Sequence, residues 1–166
     1  SKSGIVNLEN WKDRYGDGHA KVLSAKLFDE KGNITTNFYR TKPFNLQIKF
    51  ASYTDSSLLL SVSITNGMAV HVLHLSNLDS SNNVEVSGIG IYECNVEIPS
   101  LPLFRGTYSL NIGIHNSKNR PHDVVLHLLE FTVEEPINTR RTFSTRSDHF
   151  MAWSPSEWSV NYLEKI

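Results

Sequence analysis

The residues of this 166-residue chain able to hold a metal or move a proton are seven histidines, one cysteine and seventeen carboxylates. His71 and His74 form HxxH within MAVHVLHLSN. On a helix that spacing puts two imidazoles on one face, where zinc can take both. Here the surrounding alternation is that of a strand, and an odd separation sends the two rings to opposite faces. One ion is not expected to take both. His19, His115, His122, His127 and His149 are scattered, and Cys94 has no second cysteine beside it. No metal site and no cofactor is expected. No G-x-S-x-G elbow offers a nucleophile. Glu93 and Glu97 share a strand face, which a solvated surface explains as well as a catalytic pair would. GIGIYE (88–93) is a G-x-G followed by strand rather than helix, and no P-loop is present. The fragment is read as non-catalytic.

A different chemistry comes from uncharged polar residues. In TYSLNIGIHN, Tyr108, Leu110, Ile112 and Ile114 alternate with Ser109, Asn111, Gly113 and His115. In SLLLSVSITN, Leu58, Leu60, Val62 and Ile64 alternate with Ser61, Ser63 and Thr65, and His71 follows on the next strand. The apolar sets are core. The polar sets, placed on one sheet, make a patch of hydroxyl, amide and imidazole. Such a patch satisfies saccharide hydroxyls without desolvating a charge, and a ring such as Tyr92 is expected to stack on the sugar's C–H face. Each neutral hydrogen bond nets about 0.5–1.5 kcal/mol, so a handful reach roughly millimolar to micromolar affinity. The expected glycan-binding residues are Ser61, Ser63, His71, Tyr92, Ser109, Asn111 and His115. Exposed sheet is rich in Ser and Thr for its own reasons, so the same pattern also suits a face with no ligand.

The elements that must position these residues are strands. Alternating runs cover His19–Phe28, Phe44–Phe50, Leu58–Thr65, Val84–Ile98 and Thr107–His115, with a short strand at Ile34–Tyr39, and Val124–Val133 is apolar on both faces, as a central strand is. DEKGN, Asn66-Gly67 and NSKNRPHD mark turns between them, Asn-Gly being a strong hairpin signal. About eight short strands and no helical period imply an all-β, immunoglobulin-like antiparallel β-sandwich. Residues 1–18 read as a lead-in and residues 19–166 as the sandwich. Net charge is −1, which gives no general attraction to nucleic acid or to an anionic membrane. A single cysteine precludes an intrachain disulfide and fits a reducing compartment. The opening SKSG lacks an initiator Met and reads as an excised fragment.

Three segments resemble one family. YGDGHAKVLSAKLFDEKGN, TKPFNLQIKFAS and VEIPSLPLFRGTYSLNIGIHN are similar to the C-terminal polysaccharide-binding domain of the ATP-binding subunit of O-antigen ABC transporters, the Wzt type. The resemblance covers residue 15 to about residue 135, and the tail fits loosely through its late tryptophans. It implies an immunoglobulin-like sandwich that recognises lipid-linked O-polysaccharide, often at its modified non-reducing end, before export. It also implies a cytoplasmic location at the inner face of the bacterial inner membrane. The parent chain would carry an ATPase domain, joined here through residues 1–18, and would pair with a transmembrane permease. A homodimer formed by exchange of the C-terminal strand (137–166) would bury Trp153, Trp158 and Tyr162. No binding residue carries over, because ligand contacts in the family vary with the glycan. The alternatives are a carbohydrate-binding module of a glycoside-active enzyme and a structural immunoglobulin-like interaction domain.

Overall fold

Alternation is cleanest in Phe44–Phe50 and Tyr108–Ile114, and both segments form strands with the expected register. Phe44, Leu46, Ile48 and Phe50 are at most 1% exposed, and Tyr108, Leu110, Ile112 and Ile114 at most 2%. The computed structural model describes residues 3–79 and 84–136. Among them are eleven strands: β1 (Ile5–Asn7), β2 (Arg14–Tyr15), β3 (Ala20–Phe28), β4 (Asn37–Tyr39), β5 (Phe44–Ser52), β6 (Ser57–Asn66), β7 (His71–Ser76), β8 (Val86–Ser87), β9 (Gly90–Ile98), β10 (Gly106–Asn116) and β11 (Pro121–Glu134). They form two sheets, ordered β1-β3-β5-β9 and β2-β11-β10-β6-β7, with β4 beside β11 and β8 beside β6. All pairings are antiparallel except β4 with β11. The inner faces meet in a core that includes a ring cluster of Phe38, Phe44, Tyr108 and Phe131. The Tyr108 hydroxyl donates to Phe104 O at 2.7 Å, an arrangement found at corners of immunoglobulin-type sandwiches. This is the all-β sandwich expected, with β1, β2 and β8 added to it.

Two boundaries differ from expectation. Residues 1–18 are not merely a lead-in: β1 and β2 belong to the two sheets, and Leu8 is fully buried. Strands of three and two residues are too short to show alternation, so only their burial reveals them. Val84–Ile98 is not one strand either. β8 pairs with β6 in one sheet and β9 with β5 in the other. The chain changes sheet at Gly88 and Gly90, whose φ values of 100° and 156° are ones side chains resist.

The three expected turns share one construction. The first residue, Asp29, Asn66 or Asn116, accepts through its side-chain oxygen from the backbone N–H groups two and four residues on. The fourth residue takes a positive φ: Gly32 at 79°, Ala69 at 59° and Asn119 at 60°. In the Asn66 hairpin the left-handed position therefore falls on Ala69, not on Gly67. Among the described residues, no helix is long and apolar enough to cross a membrane.

Candidate functional site

Strand register assembles the uncharged residues into rows across the outer face of the larger sheet. Cross-strand partners point the same way. One row runs His71, Thr65, Ser109, Glu130; the next runs His74, Ser63, Asn111; a third runs Ser76, Ser61, Gly113, Val124, Tyr15. His115 follows, opposite Leu59. Six of the seven expected ligand residues (Ser61, Ser63, His71, Ser109, Asn111 and His115) thus share one face. The two histidines of HxxH also share it, contrary to the opposite-face expectation. Val72 is an extra residue between pairs Ile64–Leu73 and Thr65–His71. That bulge turns His71 to the side of His74, and both are exposed.

Not every member is free to meet a ligand. Asn111 is only 4% exposed. It lies opposite a bulge in β11, where Leu126, His127 and Leu128 fall between the pairs Leu110–Leu129 and Ile112–Val125. Its Oδ1 accepts from the His127 backbone N–H at 2.9 Å, and its Nδ2 donates to Ser63 O and Oγ at 3.4 and 3.3 Å. His127 holds φ 51° there. Gly113 makes room for its neighbours: a Cβ on it would lie 2.7 Å from His115 Cε1 and 2.8 Å from Ser61 Oγ. The imidazole of His115 folds over that gap. Burial pushes its pKa down, aided by His122 and His74 nearby, which favours the neutral ring as hydrogen-bonding partner.

Tyr92 is the exception among the expected ligand residues. It lies in β9 of the other sheet, its ring stacked on Phe50 at 5.3 Å and its hydroxyl donating to Ser87 O and Gly88 O. It braces the sheet crossing and is no stacking platform for this face. Among the described residues, Tyr15 is an aromatic ring that does reach the face, opposite Val124 and 56% exposed. Sequence reasoning missed it because Tyr15 closes a two-residue strand inside the supposed lead-in. Trp153, Trp158 and Tyr162 lie outside the described residues.

A second group sits beyond His115. Asp123 points inward, its carboxylate accepting from the Val22 N–H at 2.8 Å, so His122 before it points outward. His122 Nδ1 lies 2.8 Å from Asp17 Oδ1, and His19 Nδ1 lies 3.0 Å from the same oxygen. The His19 backbone N–H also donates to Asp17; that bond chiefly, with the two imidazoles, holds the carboxyl well below its usual range despite partial desolvation. Elsewhere, between β9 and β7, a cleft of about 270 Å³ opens over Ile48, Leu60, Val62, Leu75, Cys94 and Val96. Its floor is apolar, and Ser76, Asn77, Asp79, Asn95 and Glu97 also line it. Burial there pushes the Cys94 thiol pKa up.

Comparison with known proteins gives one family. The sequence model of the family described as the Wzt C-terminal domain matches residues 12–147. The chain is similar to the crystal structure of the C-terminal domain of Wzt, with a TM-score of 0.72 and 13% identity, over 96% of this chain and 92% of that one. It is also similar to a Niemann-Pick type C2 protein from the Japanese carpenter ant, with a TM-score of 0.52 and 13% identity, over 73% of this chain and 96% of that one. At such identities the likeness is one of fold. No curated protein matches the chain in sequence.

Proposed function

The chain belongs to the Wzt C-terminal domain family, whose role is carbohydrate binding in O-antigen transport, and from that premise we propose that it is a non-catalytic domain that grips O-polysaccharide on the outer face of its larger sheet. The observation that carries this reading is the register: three strands, β7, β6 and β10, place hydroxyl, amide and imidazole groups in adjacent rows, one of which continues across β11 to the exposed ring of Tyr15 in β2. Sugars present alternating hydroxyl and C–H surfaces, and this face offers a partner to each. The exposed donors are His71 and His74, flanked by half-buried Ser61, Ser63, Ser109 and His115. Glu130 at the rim of one row accepts hydroxyl protons as well.

The finer points of the reading go with it. The glycan is lipid-linked and read at its non-reducing end. The parent subunit supplies an ATPase domain and pairs with a membrane permease at the cytoplasmic face of the inner membrane. The domain forms a homodimer through Trp153, Trp158 and Tyr162. Two sites in one dimer would raise avidity for a displayed polymer. A chain truncated after Pro136 is then expected to run as a monomer or to be insoluble, checked by light scattering; a soluble dimer of the truncated chain would remove the exchange.

Calorimetric titration with an oligosaccharide released from the O-polysaccharide exported by the parent transporter tests the binding face. His74→Ala and Tyr15→Ala are each expected to weaken binding about tenfold, or about 1.4 kcal/mol, with little change in melting temperature. Unchanged affinity in both variants would move the site elsewhere. No binding to the native chain at millimolar repeat-unit concentration would favour a structural role.

A further inference from the structure

Scattered in sequence, Asp17, His19 and His122 meet in space at the end of the sandwich beyond His115. One candidate ligand atom from each lies within 4.8 Å of the others. The two imidazole nitrogens approach the same carboxylate oxygen, at 2.8 and 3.0 Å, and the rings stand nearly perpendicular with centroids 5.5 Å apart. We propose that these three side chains bind one divalent transition-metal ion, zinc being the ion they suit best, with the fourth position open to water.

The donor set is two imidazoles and one carboxylate, which zinc accepts in tetrahedral sites and which hard cations such as Mg²⁺ and Ca²⁺ do not favour. Bonds of about 2.0–2.1 Å to a tetrahedral ion separate its donors by roughly 3.3 Å. The two nitrogen–oxygen spacings, 2.8 and 3.0 Å, need to open by a few tenths of an ångström, and the exposed members can supply that. The side chains of His19 and Asp17 are 62% and 43% exposed, whereas that of His122 is 6% exposed and acts as the fixed post. Among the described residues, nothing hydrogen-bonds His122 from its far side: Nε2 is buried without a partner there, so the ring's polar engagement with them is all at Nδ1, on the Asp17 side.

The backbone around the carboxylate is fixed as well. Asp17 N–H donates to Pro121 O at 3.2 Å and Gly18 N–H to His122 O at 2.9 Å. Gly16 packs so closely on β11 that a Cβ there would lie 2.2 Å from His122 O. The loop carrying two of the ligands is therefore tied to the strand carrying the third. This site does not depend on saccharide binding, and its test involves no glycan.

The test is calorimetric titration of the untagged 166-residue chain with ZnCl₂ in chelator-treated buffer at neutral pH, with the visible absorption of the Co²⁺ adduct as a second readout. One ion per chain is expected, with a rise in melting temperature. His19→Ala, at an exposed position that does not threaten folding, is expected to weaken zinc at least tenfold and to abolish the tetrahedral cobalt bands, and Asp17→Asn to do the same. Absence of zinc binding at millimolar metal would leave a hydrogen-bonded triad and overturn the proposal. So would binding that survives His19→Ala but is lost in the His71→Ala, His74→Ala double variant.

Discussion

Asn111 combines two roles that alternation alone does not separate. Its odd–even position puts it on the polar face, and there it lies. Its burial comes from something β10 does not encode, the extra residues of β11 opposite it. Asn111→Ala strips the acceptor from the part-buried His127 N–H and empties a buried site, a loss of about 1–3 kcal/mol where a donor is left unpaired. Urea unfolding is expected to show a loss in that range; a loss below about 0.5 kcal/mol, the size of a neutral surface change, would mean that the bulge holds itself. Any loss of glycan affinity in this variant then reports folding as much as contact, which is why His74 and Tyr15 are the better probes. His115 ties stability to pH. Its folded-state pKa lies below the ordinary 6.5 through burial first, then His122 and His74. The unfolded chain therefore binds more protons there, and stability falls as pH drops below about 6.5. His115→Gln is expected to flatten that part of the stability profile; an unchanged slope would assign it to another group. The faces of Ser61, Ser63, Ser109 and His115 were legible because uninterrupted alternation has one meaning. That His74 joins His71 there, and that Tyr15 reaches the face, was not, because a one-residue bulge and a two-residue strand leave no periodic trace.

At the scale of elements, the turns carry the clearest lesson. Asn66-Gly67 signals a hairpin, and β6 and β7 do form one. Yet Gly67 has no positive φ, and the left-handed residue is Ala69 at 59°. The Asn66 side chain, bonded to Met68 N–H and Val70 N–H at 3.0 Å each, selects this longer loop. An L-residue other than glycine pays roughly 1–2 kcal/mol in that conformation, less the entropy a glycine adds to the unfolded chain. Ala69→Gly is therefore expected to raise stability by up to about 1 kcal/mol, read as a higher denaturation midpoint; a fall would show that Ala69 makes contacts worth more than its strain. The Gly88–Gly90 crossing was visible only as an oddity within an alternating run. Its meaning depends on which sheet each half joins, and pairing across the molecule is not written in local sequence.

The two sheets are tied together by more than apolar contact. Arg14 Nε donates to Asp123 Oδ1 at 3.0 Å, while its terminal nitrogens reach Leu8 O, Val22 O and the second carboxylate oxygen. Asp123 also accepts from the Val22 N–H, so one ion pair joins β2, β3 and β11 across both sheets. Their side chains are 14% and 6% exposed. Removing one partner of such a pair strands the other, at about 3–5 kcal/mol, and Asp123→Ala is expected to lose stability on that scale in chemical denaturation. A loss under about 1 kcal/mol would place the pair among ordinary surface bridges. On such a scaffold one face is left to meet the glycan. The most direct measurement is an amide chemical-shift map of the domain titrated with oligosaccharide from the exported O-polysaccharide. Saturable shifts are expected at residues 61–65, 71–76 and 109–115 and at Tyr15. Shifts gathered instead around residues 94–97 and the cleft between β9 and β7, with the outer face unmoved, would rule out binding on that face.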